Sequence, residues 1–241
     1  RAKIISYGAV LRDLLVPHGG ALQRVTLGLN SIEDYVKHSP SFGAVPGRYA
    51  NRIARGRFSI DGTAYTIDRN YIGKHTLHGG SKGFGKRLWK IGDHDAHSVS
   101  LSLVSDDGDM GFPGEMRATC LYRFLEPATL RVELRAVADK PTVVNLTQHA
   151  YFNLDGSPDV LDHEMMLACD FYTPTDAELI PTGEIRPVAD TPYDFRTARP
   201  LRNAQGVDYD TNFVASLPPG PEGLAFVARA RSLKNGLALE L

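Results

Sequence analysis

The stretch MRATCLYRFLEPATLRVELRAV, residues 116–137, divides into two runs, 116–125 and 129–137, on either side of Glu126-Pro127-Ala128. Within each run apolar and polar side chains tend to alternate, the period-two pattern of a strand with one buried face. The pattern recurs outward in both directions. Residues 3–16 (KIISYGAVLRDLLV) read as two short strands broken at Gly8, and 21–29 as another. Residues 57–60 and 64–68 flank Asp61-Gly62, a pair that tolerates positive φ at both positions and so favours a type I′ hairpin. Further strand-like runs lie at 98–104, 143–146 and 165–171. Residues 31–37 (SIEDYVK) form one of few helical candidates, a Ser cap followed by Glu33 and Asp34 in the first turn. Residues 172–201, rich in Pro, Thr and Asp, read as a long structured surface connection with strand fragments. With 23 Gly, 15 Pro and no sustained helical period, the prediction is an all-β chain with few short helices, a large sandwich. No internal repeat and no low-complexity linker interrupts it, which predicts one domain over residues 1–241.

Composition narrows the function classes. The chain has 241 residues and is 42% hydrophobic, enough for a substantial core. Its 27 basic and 28 acidic residues form no basic stripe, which argues against nucleic acid, and no apolar run approaches membrane-spanning length. The two cysteines, Cys120 and Cys169, each sit in an apolar strand-like run and read as buried thiols rather than a disulfide or zinc set. Arg1 already stands in a strand pattern, so the N-terminus reads as trimmed by a few residues; the compartment expected is cytoplasmic, with a removed signal peptide as the other possibility. Oligomeric state is not legible.

The polar chemistry concentrates in residues 142–156, TVVNLTQHAYFNLDG. As a strand, this stretch would send Thr147, His149 and Tyr151 to one face and Gln148, Ala150 and Phe152 to the other. An imidazole and a phenol side by side make a floor for a polar ligand. Taken alone, the stretch reads at least as well as a core strand with a satisfied histidine.

Other segments bear on that choice. Residues 42–53 (FGAVPGRYANRI) bring Arg48, Asn51 and Arg52 into a Gly/Pro loop, donors and acceptors suited to neighbouring sugar hydroxyls, or else a surface Arg cluster. Residues 75–85 (HTLHGGSKGFG) hold His75 and His78. Neither that pair nor His94-x-x-His97 has a third ligand or a helix to fix its spacing, so no metal is expected. Gly80 to Lys86 imitates a phosphate loop, but Arg87 stands where Ser or Thr is required and LWKI continues as strand, so the motif is rejected. The glycines instead let the backbone turn tightly beside His78. Asn145-Leu146-Thr147 matches a glycosylation acceptor inside a predicted strand, where modification is not expected. Asp208 and Asp210 in GVDYDTNF offer carboxylates to ligand hydroxyls, or an Asx-turn.

Together the segments FGAVPGRYANRI, RFSIDGTAYTI, LHGG-x-x-GF, TQHAYFNLDG, IPTGEIRPVADTPYDFR and DTNF resemble, in order, the aldose 1-epimerase (galactose mutarotase) family. The resemblance runs along essentially the whole chain. It implies a large antiparallel β-supersandwich and an isomerase that interconverts the α and β anomers of a hexose such as glucose or galactose, without cofactor or metal. It also implies roles. His149 is similar to the general acid that protonates the ring oxygen, a role suited to a side chain with a reference pKa near 6.5. His78 is similar to the second histidine near that oxygen, Asn51 and Arg52 to the pair that binds hydroxyls, and Asp210 to the hydroxyl-binding aspartate, while Tyr151 sits in the acid's own motif. The partner expected is a small aldohexose. Alternatives are a non-catalytic sugar-binding module and an epimerase-like enzyme for a hexose phosphate, which would need extra Arg or Lys.

One departure stands out. The family's general base is a glutamate in a late LEPQ-like segment. Glu240 in NGLALEL follows Asp210 too closely and lacks the flanking Gln and Pro-Asp. The expectation is therefore that the base lies beyond Leu241, in a C-terminal portion this sequence lacks.

Overall fold

A computed structural model describes residues 1–38, 41–203, 205–220 and 223–241. The regular elements among the described residues are mainly antiparallel strands, with one seven-residue α-helix, α1 (Ile32–His38). No helix among the described residues is long and apolar enough to cross a membrane. The chain divides into two compact units, Arg1–Leu14 with Thr26–Tyr151, and Leu15–Val25 with Phe152–Leu241.

In the first unit, β1 (Ala2–Ile5) pairs with the start of β2 (Val10–His18), the break at Gly8 falling between them as its φ of 67° requires. β2 continues into the second unit, where its end pairs with β3 (Ala21–Arg24), shorter than the expected run to residue 29. Ser31 Oγ accepts the Asp34 backbone N–H at 3.1 Å, the cap expected for α1. Two minimal strands, β4 (Arg52–Ile53) and β7 (Thr76–Leu77), pair with each other. Between them lies the hairpin of β5 (Arg57–Ile60) and β6 (Thr63–Thr66), whose turn residues Asp61 and Gly62 both have positive φ, 49° and 80°.

The main sheet follows: β8 (Lys90–His94), β9 (Ser98–Ser105), β10 (Met116–Leu125) and β11 (Thr129–Ala138), in the order 11-10-9-8. The hairpin at 116–137 forms in the register its alternation demands, with Met116, Ala118, Cys120 and Tyr122 buried and Arg117, Thr119 and Arg123 exposed. These inward side chains pack with Leu101, Phe84 and Trp89 in the unit's core. Tyr122 satisfies its hydroxyl by donating to Ala9 O at 2.7 Å. Burial pushes the Cys120 thiol up to about 12, so it behaves as an inert core residue.

The second unit holds β12 (Glu164–Leu167), β13 (Phe171–Thr173), β14 (Arg186–Pro187), β15 (Arg199–Pro200), β16 (Asn212–Val214), β17 (Ala228–Arg231) and β18 (Ala238–Glu240). They form sheets ordered 15-12-17-18 and 14-13-16. The run expected at 165–171 is therefore two strands, split at Ala168–Asp170 where Ala168 N–H turns to Val227 O. A buried polar knot anchors the start of this unit. Ser232, fully buried, donates to Asp155 Oδ2 at 2.6 Å, and His163 Nε2 accepts the Leu154 N–H at 3.1 Å. Burial alone would raise the Asp155 carboxyl. The bonds from Ser232 and Ser157 and the nearby His163 outweigh it and hold the group at about 2.

Candidate functional site

Residues 143–146 do not form the strand the sequence suggested. Asn145 makes a single parallel bridge to Tyr49, with Asn145 N–H on Arg48 O at 2.9 Å and Ala50 N–H on Asn145 O at 2.8 Å. The opposing segment explains this. Pro46 has no N–H to give, and the loop from Gly43 to Arg48 turns too sharply to sustain a ladder. Contact resumes four residues on, where Gly43 N–H donates to His149 O and His149 N–H to Ala44 O, both at 2.9 Å. Gln148 Nε2 adds a bond to Gly43 O at 2.9 Å, and its Oε1 accepts the Ala150 N–H at 2.8 Å. His149 is thus fixed through its backbone on both sides.

The expected shared face survives without the ladder. The rings of His149 and Tyr151 lie 5.2 Å apart at 34°, and Phe42 closes on Tyr151 edge-on at 5.0 Å. The His78 ring stands perpendicular to His149 with centroids 5.2 Å apart. His78 and His149 are therefore brought together, although 71 positions separate them in the sequence (149 − 78 = 71).

His78 follows β7 in the left-handed region, with φ of 52°. Its position is set by its neighbours. Asn70 clamps Leu77, donating Nδ2–H to Leu77 O at 2.9 Å and accepting the Leu77 N–H at 2.8 Å. Gly79, with φ of 82°, packs so closely on Gly47 that a Cβ would overlap the Gly47 carbonyl. This is the tight turn predicted for the glycines of LHGG. His78 N–H donates to Asn51 O, and Asn51 N–H donates to His78 Nδ1, each at 3.0 Å. Because Nδ1 accepts, the neutral ring carries its proton on Nε2. Burial lowers the His78 pKa to about 4, helped by the positive charge of His149 when protonated, of Arg52 and of Lys86. His78 is accordingly a neutral Nε2–H donor throughout the physiological range.

Asn51 and Arg52 sit beside it. Arg52 Nη1 donates to Asn51 Oδ1 at 3.2 Å, and the guanidinium lies over the Tyr71 ring, 4.6 Å from its centroid. Arg48, grouped with them in the sequence, does something else. It is 2% exposed and spends its fork on Ser105 Oγ, Ser105 O, Asp106 O and Pro113 O, at 2.7 to 3.0 Å. Arg48 is a cross-brace, not a surface cluster or a ligand group. His75 is likewise buried, with Nδ1 accepting the Arg55 N–H at 2.8 Å. Among the described residues no group of three or more His, Cys, Asp or Glu is placed to hold a metal ion.

Asp210 lies in the second unit and is exposed. It lines a cleft of about 300 Å³ with Tyr172, Arg186, Tyr193 and Asp208, and its own N–H donates to Asp208 Oδ1 at 3.2 Å, an Asx-type turn. Two contributors were not singled out from the sequence, Asn70 and Tyr71. Their only mark there is the polar run Asp68-Arg69-Asn70-Tyr71 just ahead of LHGG.

Comparison with known proteins matches the chain to a family. The model of the family described as aldose 1-epimerase matches residues 1–241. The galactose mutarotase of Bos taurus is 40% identical over 100% of this chain and 71% of its own length. The aldose 1-epimerase of Escherichia coli K12 is 41% identical over 81% of this chain and 57% of its own. A solved structure of a GalM/aldose epimerase homologue from C. elegans superposes with a TM-score of 0.92 at 34% identity, covering 99% of this chain and 74% of that one.

Proposed function

The chain belongs to the aldose 1-epimerase family, and we propose that it interconverts the α and β anomers of an aldohexose through the open-chain aldehyde. Ring opening requires a base to take the C1 hydroxyl proton as an acid protonates the ring oxygen. Rotation about C1–C2 and reclosure on the other face return both protons. In this reading His149 is the acid. His78 presents its Nε2–H to the same ring oxygen and stabilises charge developing there. Asn51 and Arg52 bind sugar hydroxyls, and Tyr151 packs beside the acid. The base is assigned to none of these residues.

The observation that carries the reading is the perpendicular His78–His149 pair, 5.2 Å between centroids, in which Nδ1 of His78 is committed to Asn51. The bond to Asn51 locks the His78 imidazole as an Nε2–H donor. Polarimetry of freshly dissolved α-glucose and α-galactose tests it. His149→Ala is expected to lower the enzyme-catalysed rate by roughly 10²- to 10⁴-fold. With both measured in the full-length protein, a near-normal rate in that variant would remove His149 from the mechanism, and sugar binding without acceleration before substitution would leave a binding module.

A further inference from the structure

Two arginines four positions apart (52 − 48 = 4) are held in opposite ways. Arg48 is fixed by four hydrogen bonds to groups around it. Among the described residues Arg52 makes one side-chain hydrogen bond, from Nη1 to Asn51 Oδ1, and its buried Nε has no partner. A guanidinium carries five N–H donors in one plane, and one bond to a neighbouring side chain does not fix that plane. The remaining constraint is the Tyr71 ring beneath it. The guanidinium carbon lies over the ring at 4.6 Å from its centroid, and a π face attracts the cation without taking any of its N–H donors.

We propose that Tyr71 is the positioning residue for Arg52, setting the plane in which its donor edge meets an acceptor oxygen of the bound polyol. This rests on the proposed function for its substrate, but not for its geometry. The ring is presented by a main-chain loop that does not depend on it. Tyr71 N–H donates to His75 O at 2.9 Å, His75 N–H returns to Tyr71 O at 3.0 Å, and Lys74 N–H shares that oxygen. Ile72 and Gly73 take positive φ, 46° and 68°, to close the turn. Removing the ring therefore removes the stack and spares the loop.

The prediction is a split in kinetic constants. Tyr71→Leu keeps apolar bulk without a π face, and is expected to raise KM about 3- to 30-fold with kcat little changed, since sugar and transition state lose the same contact. Tyr71→Phe, which keeps the face, is expected to restore KM. In an Arg52→Lys background the Leu substitution should add little, because its target is gone. A second readout needs no turnover: the ¹⁵N heteronuclear NOE of Arg52 Nε, assigned by its loss in Arg52→Lys. It should stay high in the parent and in Tyr71→Phe, and fall in Tyr71→Leu. Absence of activity in the full-length protein with that NOE pattern intact would sink the proposed function and keep the role of Tyr71. An Arg52 signal equally rigid in all three proteins, or a Phe variant as impaired as Leu, would overturn it.

Discussion

Asn51 and His78 exchange two hydrogen bonds at 3.0 Å, backbone to backbone in one direction and amide to imidazole Nδ1 in the other. The second bond fixes the tautomer. It also opposes protonation, since a charged ring would turn its Nδ1–H against the Asn51 amide.

This pair predicts a pH dependence of stability. The folded His78 pKa, about 4, lies below the unfolded value near 6.5, so the unfolded chain binds more protons between those values. The native state therefore loses stability from His78 as pH falls from about 6.5 toward 4, and gains it back on the way up. Urea unfolding of the parent and of His78→Asn at pH 4, 5, 6 and 7 is expected to show a shallower pH gradient in the variant. Parallel gradients would contradict the depressed pKa.

Arg48 and Arg52 make a contrasting pair of substitutions. Arg48→Met strands the buried carbonyls of Ser105 and Pro113 and is expected to cost at least about 3 kcal/mol in unfolding free energy. Arg52→Met is expected to cost less than about 1 kcal/mol in stability while raising KM for sugar. Denaturant midpoints and polarimetric KM values, measured on both, separate the brace from the binding group.

Glycine requirements should differ as sharply between two turns. At Gly62 a methyl group meets nothing within 4 Å, so Gly62→Ala is expected to cost only the left-handed penalty, about 1–2 kcal/mol. At Gly79 the same penalty is joined by overlap with the Gly47 carbonyl, and Gly79→Ala is expected to lose at least about 2 kcal/mol more. Comparable unfolding midpoints would show that the 79/47 approach is softer than described.

What was legible in the sequence followed from periodicity and turn chemistry. The hairpin at 116–137 and the Asp61-Gly62 turn announce themselves, because alternation and positive φ are properties of a few adjacent residues. The stretch 143–146 misled for the same reason. It has β-rich composition, but pairing belongs to two segments, and the partner at Gly43–Arg48 cannot supply a ladder. Arg48 and Arg52 look alike in GRYANR, and only burial distinguishes them. Tyr71 carries no local signature, since what marks it is a cation nineteen positions earlier (71 − 52 = 19).

The bonds that anchor residues 145–150 to the loop at 43–50 span 95 to 106 positions along the chain (145 − 50 = 95; 149 − 43 = 106). Closing so long a loop is entropically costly and comes before the contacts that reward it. During synthesis, the segment bearing Asn51 and His78 emerges well before the residues that bring His149 to it. A nascent chain ending near residue 140 would hold one imidazole of the pair and lack the other. The histidine pair thus reports on the folding of the whole first unit, and its assembly can be timed by the moment His149 leaves the ribosome.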